Sequence, residues 1–194
     1  MLFISPRSRT QNCFPPPIEG IERVTELKCL GVTLTPNFSF TTHVTNTVNS
    51  CSGNLFALYC LRSKGLSNDL LHTIFQATTL SRLLYASPFW WGFLAAHDRD
   101  RLEAFLRRAK KAGFYSKISS FEDLCASADH KMFNAILNNS NHVLASLIPP
   151  LNNHVYLTRR NVASRTFQLS TKRTSLCDKN FIARMILDDA RGLV

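Results

Sequence analysis

The sequence predicts a mainly α-helical protein with a small N-terminal β hairpin or pair of edge strands, and three observations support this. A short stretch rich in β-branched residues ends at Pro36. From about Phe40, apolar residues recur at the three-to-four spacing of helix faces. After Pro149–Pro150, large apolar residues become sparse, which predicts a basic, partly irregular C-terminal arm.

The strands come first. Residues 2–4 are apolar, and the stretch from Val24 to Leu34 is apolar and β-branched, so it is predicted to be a second strand. Residues 15–17 are all proline, which excludes regular helix there. Because an isolated pair of strands is marginally stable, residues 1–36 are expected to form the edge of a larger sheet.

Helices follow from residue 40 onward. The first should end at Gly65, the third should run from near Asp98 to Gly113, and the fourth should start at Ser119 with Glu122 completing a capping box. A short C-terminal helix is expected over 179–190. The apolar faces of the first four are, in order, Val44, Val48, Cys51, Leu55 and Leu58; Leu66, Leu70, Ile74, Ala77 and Ser81; Leu102, Phe105, Leu106, Ala109 and Ala112; and Phe133, Ile136 and Leu137.

Charge and cysteine usage narrow the class of protein. The formal net charge of +10 favours an anionic partner, with nucleic acid first and an acidic membrane surface second. The six cysteines include no C-x-x-C pair, which argues against a disulfide framework or zinc ribbon and favours an intracellular, cytoplasmic or nuclear protein. No apolar run is long enough for a membrane span, so no spanning segment is expected, and nucleic acid rather than a membrane is the expected partner.

The third helix is the main candidate for nucleic-acid contact. Arg101, Arg108 and Lys111 fall on one side of it, with Arg107 and Lys110 flanking them. Flexible cations on a face nearly free of carboxylates are what phosphate contact requires. The alternative is a solvated face whose acidic start and basic end complement the helix dipole.

Two further features are weaker candidates. The tract between Asp129 and Asp178 contains no acidic residue, so its arginines are secondary candidates for phosphate contact, unless the tract is only a linker. Trp90 and Trp91 are candidates for stacking on bases, although packing in the core is the favoured alternative for such a pair. The arginines concerned are Arg159, Arg160 and Arg165.

No complete active site is evident. Asp188–Asp189 is a pair of the kind that can hold catalytic magnesium, but no third carboxylate lies nearby, so a solvated or capping role is favoured. The histidines lack ligand spacing, and no phosphate-binding glycine loop occurs. No catalytic residue, metal or cofactor is therefore predicted.

A series of segments resembles the end of reverse transcriptases from non-LTR (LINE-type, jockey-like) retrotransposons. The segments occur in the family's order along almost the whole chain. They are Lys28–Val32 (K-x-L-G-V), Phe38–Val44 (L-S-F-x-x-H-V), Leu55–Gly65 (the thumb helix), Leu84–Gly92 (L-Y-A-x-P-x-W-W-G) and Asn180–Met185 (N-F-I-x-R-M).

This resemblance implies the division of the chain and its role. Residues 1–36 would be a remnant of the palm sheet, 40–148 a thumb-like helical domain, and 149–194 a basic arm with a short helix. Lys28, Leu30 and Gly31 would lie near the primer grip. The family's Y/F-A-D-D motif, which binds magnesium, is not in this sequence. The chain is thus expected to be a fragment of an RNA-directed DNA polymerase that does not polymerise by itself.

The expected residual role is sequence-independent binding to the backbone of RNA, DNA or their hybrid, with the oligomeric state left open. A rival hypothesis is a helical protein–protein interaction module or an inactive transposon remnant. An enzyme that uses Asp188 and Asp189 is the least favoured reading.

Overall fold

The computed structural model describes Pro16, residues 19–151, Phe167 and residues 175–190, and this part of the chain is mainly helical, as predicted. It forms two compact units. Unit 1 comprises the described residues up to Ala86 together with Phe93–Phe121, and unit 2 comprises Ser87–Gly92 and the described residues from Glu122 onward. The domain boundaries predicted near residues 36 and 149 stay a prediction.

Unit 1 begins with a β hairpin. Strands β1 (Leu27–Cys29) and β2 (Val32–Leu34) pair antiparallel through a two-residue turn, Leu30–Gly31, in which both residues have positive φ. Positive φ at both positions matches the twist of a tight hairpin, and Gly31 adopts it without strain. The prediction of one continuous strand from Val24 to Leu34 was therefore wrong, because the glycine reverses the chain.

Helix α1 (Thr41–Ser63) buries the predicted face. Val44, Val48, Cys51, Leu55 and Leu58 are all buried. The helix ends at Gly65 (φ +88°), as predicted. The Gly65 amide donates to the Arg62 carbonyl, and the Leu66 amide donates to the Leu61 carbonyl. This is the Schellman arrangement that favours glycine after a helix.

The next helical segment buries a different face from the one predicted. It consists of α2 (Asn68–Ile74), a π-helical stretch (Phe75–Leu80) and α3 (Ser81–Leu83). The buried side chains are Leu71, Phe75, Thr79 and Leu83, whereas Leu70 is 52% exposed. The prediction failed because Thr79 does not read as apolar and because a π stretch changes the helical phase.

Helix α5 (Ala96–Lys111) follows α4 (Ser87–Trp90) and a 3₁₀ turn (Trp91–Phe93). It buries Leu102, Phe105, Leu106 and Ala109 as predicted and ends at Gly113 (φ +77°). Its first turn is tied to α1, since Thr41 Oγ1 donates to Asp98 Oδ2 at 2.7 Å and Arg101 donates to Thr45 Oγ1 at 3.0 Å.

Unit 2 contains α6 (Phe121–Leu137), whose first residue belongs to unit 1, a 3₁₀ turn (Ala145–Leu147), α7 (Ser175–Asp178) and α8 (Phe181–Ala190). Helix α6 begins two residues after the predicted Ser119. Its predicted apolar face is confirmed in part by the burial of Phe133 and Ile136. These residues form a core cluster with Phe167, Phe181, Met185 and Ile186.

A buried ion pair joins three separate segments of unit 2. Arg184 Nη1 of α8 donates to Asp129 Oδ2 of α6 at 2.6 Å, and Arg184 Nη2 donates to the Pro88 carbonyl at 3.3 Å. Gly92 lies against this guanidinium, because a Cβ on it would be 2.6 Å from Arg184 Nε and 2.3 Å from the Lys179 carbonyl oxygen. The W-W-G and N-F-I-x-R-M segments therefore meet at one packing site.

Candidate functional site

A groove with a volume of about 660 Å³ lies in unit 1, between the hairpin, the N-terminal half of α1 and the end of the π-helical segment. Hydroxyl, amide and cationic side chains line much of it, and no Asp or Glu is among the lining residues. The lining residues are Lys28, Gly31 and Thr33; His43, Asn46, Thr47 and Ser50; and Thr78, Ser81, Arg82 and Tyr85.

The hairpin supplies one wall of the groove. Lys28 pairs with Thr33 across the two strands, so their side chains share one face. Val32 and Leu34 alternate with Thr33 and point to the other face, where both are buried. The register of this short hairpin therefore directs one cation into the groove.

Helix α1 supplies the floor because of its periodicity. Val44, Val48 and Cys51 face the core, and the polar residues next to them in the sequence lie on a neighbouring side of the helix. These polar residues are His43, Asn46, Thr47 and Ser50. Burial lowers the pKa of His43 below its ordinary value of 6.5, so the imidazole is neutral at pH 7.

The third wall comes from the end of the π-helical stretch and the residues after it. Arg82 donates a hydrogen bond to Ser50 Oγ, which fixes its guanidinium over the floor of the groove. Tyr85 reaches the hairpin, since its hydroxyl donates to the Leu30 carbonyl at 3.0 Å. A π segment at this wall fits the frequent occurrence of such segments at functional sites.

The chemistry of the groove suits a phosphate-containing chain. Lys28 and Arg82 supply positive charge, and no carboxylate in the lining opposes it. Lysine, arginine, serine, threonine, asparagine and tyrosine are also the side chains that usually contact phosphate and sugar.

The predicted basic face of α5 is only partly available. Arg101 is held by Asp98 Oδ1 at 3.2 Å, and Lys110 Nζ donates to the Ser119 carbonyl at 2.8 Å. These two cations therefore stabilise the fold of unit 1. Arg107, Arg108 and Lys111 are exposed, so these three predicted contacts are accessible to an external anion, although the Arg108 guanidinium lies 5.6 Å from the centroid of the Phe105 ring.

The groove and the exposed cations of α5 do not form one surface. Helix α5 packs on the side of α1 that carries Thr41, Thr45 and Arg62, whose guanidinium donates to the Ala112 carbonyl at 2.7 Å. The groove uses the side that carries His43 and Ser50. At about 100° per residue, these two sides of α1 face in roughly opposite directions.

The remaining predicted site residues fall into two groups. Trp90 and Trp91 are 1% and 6% exposed, so the packing role is supported and a stacking role on bases is not. Arg159, Arg160 and Arg165 lie outside the described residues. Of the primer-grip-like residues, Lys28 and Gly31 line the groove, while Leu30 is 86% exposed at the tip of the hairpin.

Sequence reasoning missed several lining residues, above all Arg82, Ser50 and Tyr85. Arg82 is the one Lys or Arg between Lys64 and Arg99 in the sequence, so no cluster marked it. The polar side of α1 was a signal in the sequence that could have indicated the groove, because four polar residues that line it occur beside the regular apolar face of the same helix.

The described part of the chain lacks two kinds of feature. It contains no group of three or more His, Cys, Asp or Glu side chains placed to hold a metal ion. None of its helices is both long enough and apolar enough to cross a membrane.

Comparisons with known proteins found no matching family model, no matching curated protein and no matching solved structure. The resemblance to LINE-type reverse transcriptases therefore stays a prediction from the sequence segments.

Proposed function

We propose that this chain is a thumb-side fragment of a LINE-type reverse transcriptase and that it binds RNA, DNA or their hybrid through the groove of unit 1, without reading sequence. Lys28 and Arg82 contact phosphate oxygens, and the hydroxyl and amide groups of α1 contact the sugar–phosphate chain. The exposed cations Arg107, Arg108 and Lys111 form a second, separate phosphate-binding surface.

One observation carries this proposal: segments that resemble the family, although distant in sequence, meet at the groove. Lys28 and Gly31 come from the K-x-L-G-V segment, His43 from the L-S-F-x-x-H-V segment that includes the start of α1, and Tyr85 from L-Y-A-x-P. A shared binding surface gives a physical reason for these residues to occur in one ordered series.

The same proposal covers activity and location. The Y/F-A-D-D motif is not in this sequence, so the chain does not polymerise by itself and uses no magnesium of its own. No disulfide bond joins the five cysteines of the described residues, which supports an intracellular, cytoplasmic or nuclear, location.

The test is binding to a fluorescent RNA–DNA hybrid, measured by anisotropy at several salt concentrations. The logarithm of affinity should fall linearly with the logarithm of salt, with similar slopes for unrelated sequences. The double variant Lys28→Gln/Arg82→Gln should flatten this slope by about 1.4–1.8, because each phosphate contact contributes about 0.7–0.9 to it. Glutamine at position 82 keeps a donor for Ser50.

The control is Lys131→Gln/Lys179→Gln, which removes the same charge from exposed positions of unit 2. It should leave the slope unchanged. If the groove variant and this control behave alike, the groove is not the binding surface.

The α5 surface is tested separately with Arg108→Ala/Lys111→Ala, which should also flatten the slope by about 1.4–1.8. If the salt slope flattens in this variant and not in the groove variant, the nucleic-acid-binding surface is on α5 and not in the groove. No binding by the wild-type chain at low salt would contradict the proposal and favour the protein–protein module. That alternative draws support from Phe56, which is 70% exposed on α1.

A further inference from the structure

The tip of the hairpin is in a conformation that needs support. Leu30 has φ +46°, a left-handed conformation that is unfavourable for a residue with a Cβ. The strands on either side have only three residues each, and a two-stranded hairpin is marginal by itself. The turn between them therefore depends on contacts from other elements of unit 1.

Tyr85 supplies such a contact from a distant segment. Its hydroxyl donates to the Leu30 carbonyl at 3.0 Å, and its ring lies against Gly31, where a Cβ would be 3.4 Å from Tyr85 Cε1. One side chain thus contacts both residues of the turn. It also lines the groove that the hairpin borders.

We propose that Tyr85 is a positioning residue that fixes the hairpin and thereby holds Lys28 at the wall of the groove. Lys28 lies two residues before Leu30 on β1, so movement of the turn displaces its side chain directly. Nucleic-acid affinity then depends on the Tyr85 hydroxyl through Lys28. This part rests on the proposed function, whereas the fixing of the hairpin does not.

The hairpin itself is tested first, in the protein without ligand. Tyr85→Phe keeps the ring and removes the hydrogen bond to Leu30. Amide hydrogen exchange of the hairpin should become roughly fivefold faster in this variant, because the loss of one ordinary hydrogen bond changes the opening equilibrium by about that factor. The control Tyr59→Phe removes a hydroxyl from another half-exposed tyrosine of unit 1 and should leave hairpin exchange unchanged. Unchanged exchange in Tyr85→Phe would overturn the positioning role.

The link to Lys28 is tested by a double-mutant cycle on hybrid binding. Tyr85→Phe should weaken binding measurably, by at most about fivefold, in the wild-type background and have no effect in the Lys28→Gln background. Equal weakening in both backgrounds would overturn the link, because Tyr85 would then act independently of Lys28. If exchange becomes faster but neither Tyr85→Phe nor Lys28→Gln alters binding, the fixing of the hairpin stands, and both the link and the groove assignment fail.

Discussion

Replacement of Arg184 by methionine tests the account of unit 2 most directly. The guanidinium contacts Asp129 at 2.6 Å and the Pro88 carbonyl at 3.3 Å, and Asp129 is only 1% exposed. Methionine fills a similar volume without charge. The substitution therefore leaves the Asp129 carboxylate buried without its cation.

The expected loss of unfolding free energy is about 3 kcal/mol at pH 7, the lower end of the range for breaking a buried ion pair. The lower end applies because the Asp129 carboxyl group can take up a proton and become neutral. Burial already raises the pKa of Asp129, although Arg184 opposes this, and loss of the cation raises the pKa further. Proton uptake then limits the penalty to about 1.4 kcal/mol for each pH unit between the ordinary pKa of an aspartate in the unfolded chain and the pH of the solution.

The assay is urea unfolding at several pH values between 5 and 8. A carboxyl group whose folded pKa is raised contributes stability that is lost as pH rises through that pKa. The Arg184→Met variant should therefore lose stability more steeply with rising pH than the wild type. The double variant Arg184→Met/Asp129→Asn serves as control and should remove this additional slope, because the carboxyl group that takes up the proton is then absent.

A deficit below about 1 kcal/mol for Arg184→Met, or one that is the same at pH 5 and pH 8, would refute this reasoning. The first result would mean that the pair contributes no more than a surface salt bridge does. The second would mean that the deficit comes from lost packing of the arginine side chain and not from charge.

Three further predictions concern single positions. Gly92→Ala should destabilise unit 2 by about 2 kcal/mol or more in urea unfolding, since its Cβ would overlap the Lys179 carbonyl and Arg184; an effect within error would contradict that packing. Wild-type stability should fall as pH drops below about 6.5, because the lowered pKa of His43 favours its neutral form, and His43→Asn should flatten this fall in thermal melts at pH 7.5 and 5.5. Leu30→Asn should raise stability by about 0.5–1 kcal/mol, because asparagine tolerates the left-handed turn; a loss would mean that the exposed leucine makes a needed contact.

Local patterns predicted most of unit 1, and the errors have identifiable causes. The face of α1 and the helix ends at Gly65 and Gly113 were predictable, because periodicity and glycine at a helix end act within a few residues. The face of α2 was predicted one position away from the buried Leu71. That buried face continues through Thr79, which a hydropathy pattern does not recognise, and it crosses a π stretch.

The sequence by itself determined that the chain is mainly helical, carries a large positive charge and contains a cation-rich helix, because these properties depend on composition and local spacing. Only the tertiary structure decided which cations share a surface. Arg101 and Lys110 form hydrogen bonds within unit 1, whereas Lys28 and Arg82, 54 positions apart in the sequence, line one groove. The physical reason is that such groupings depend on long-range packing, and no local pattern encodes that packing.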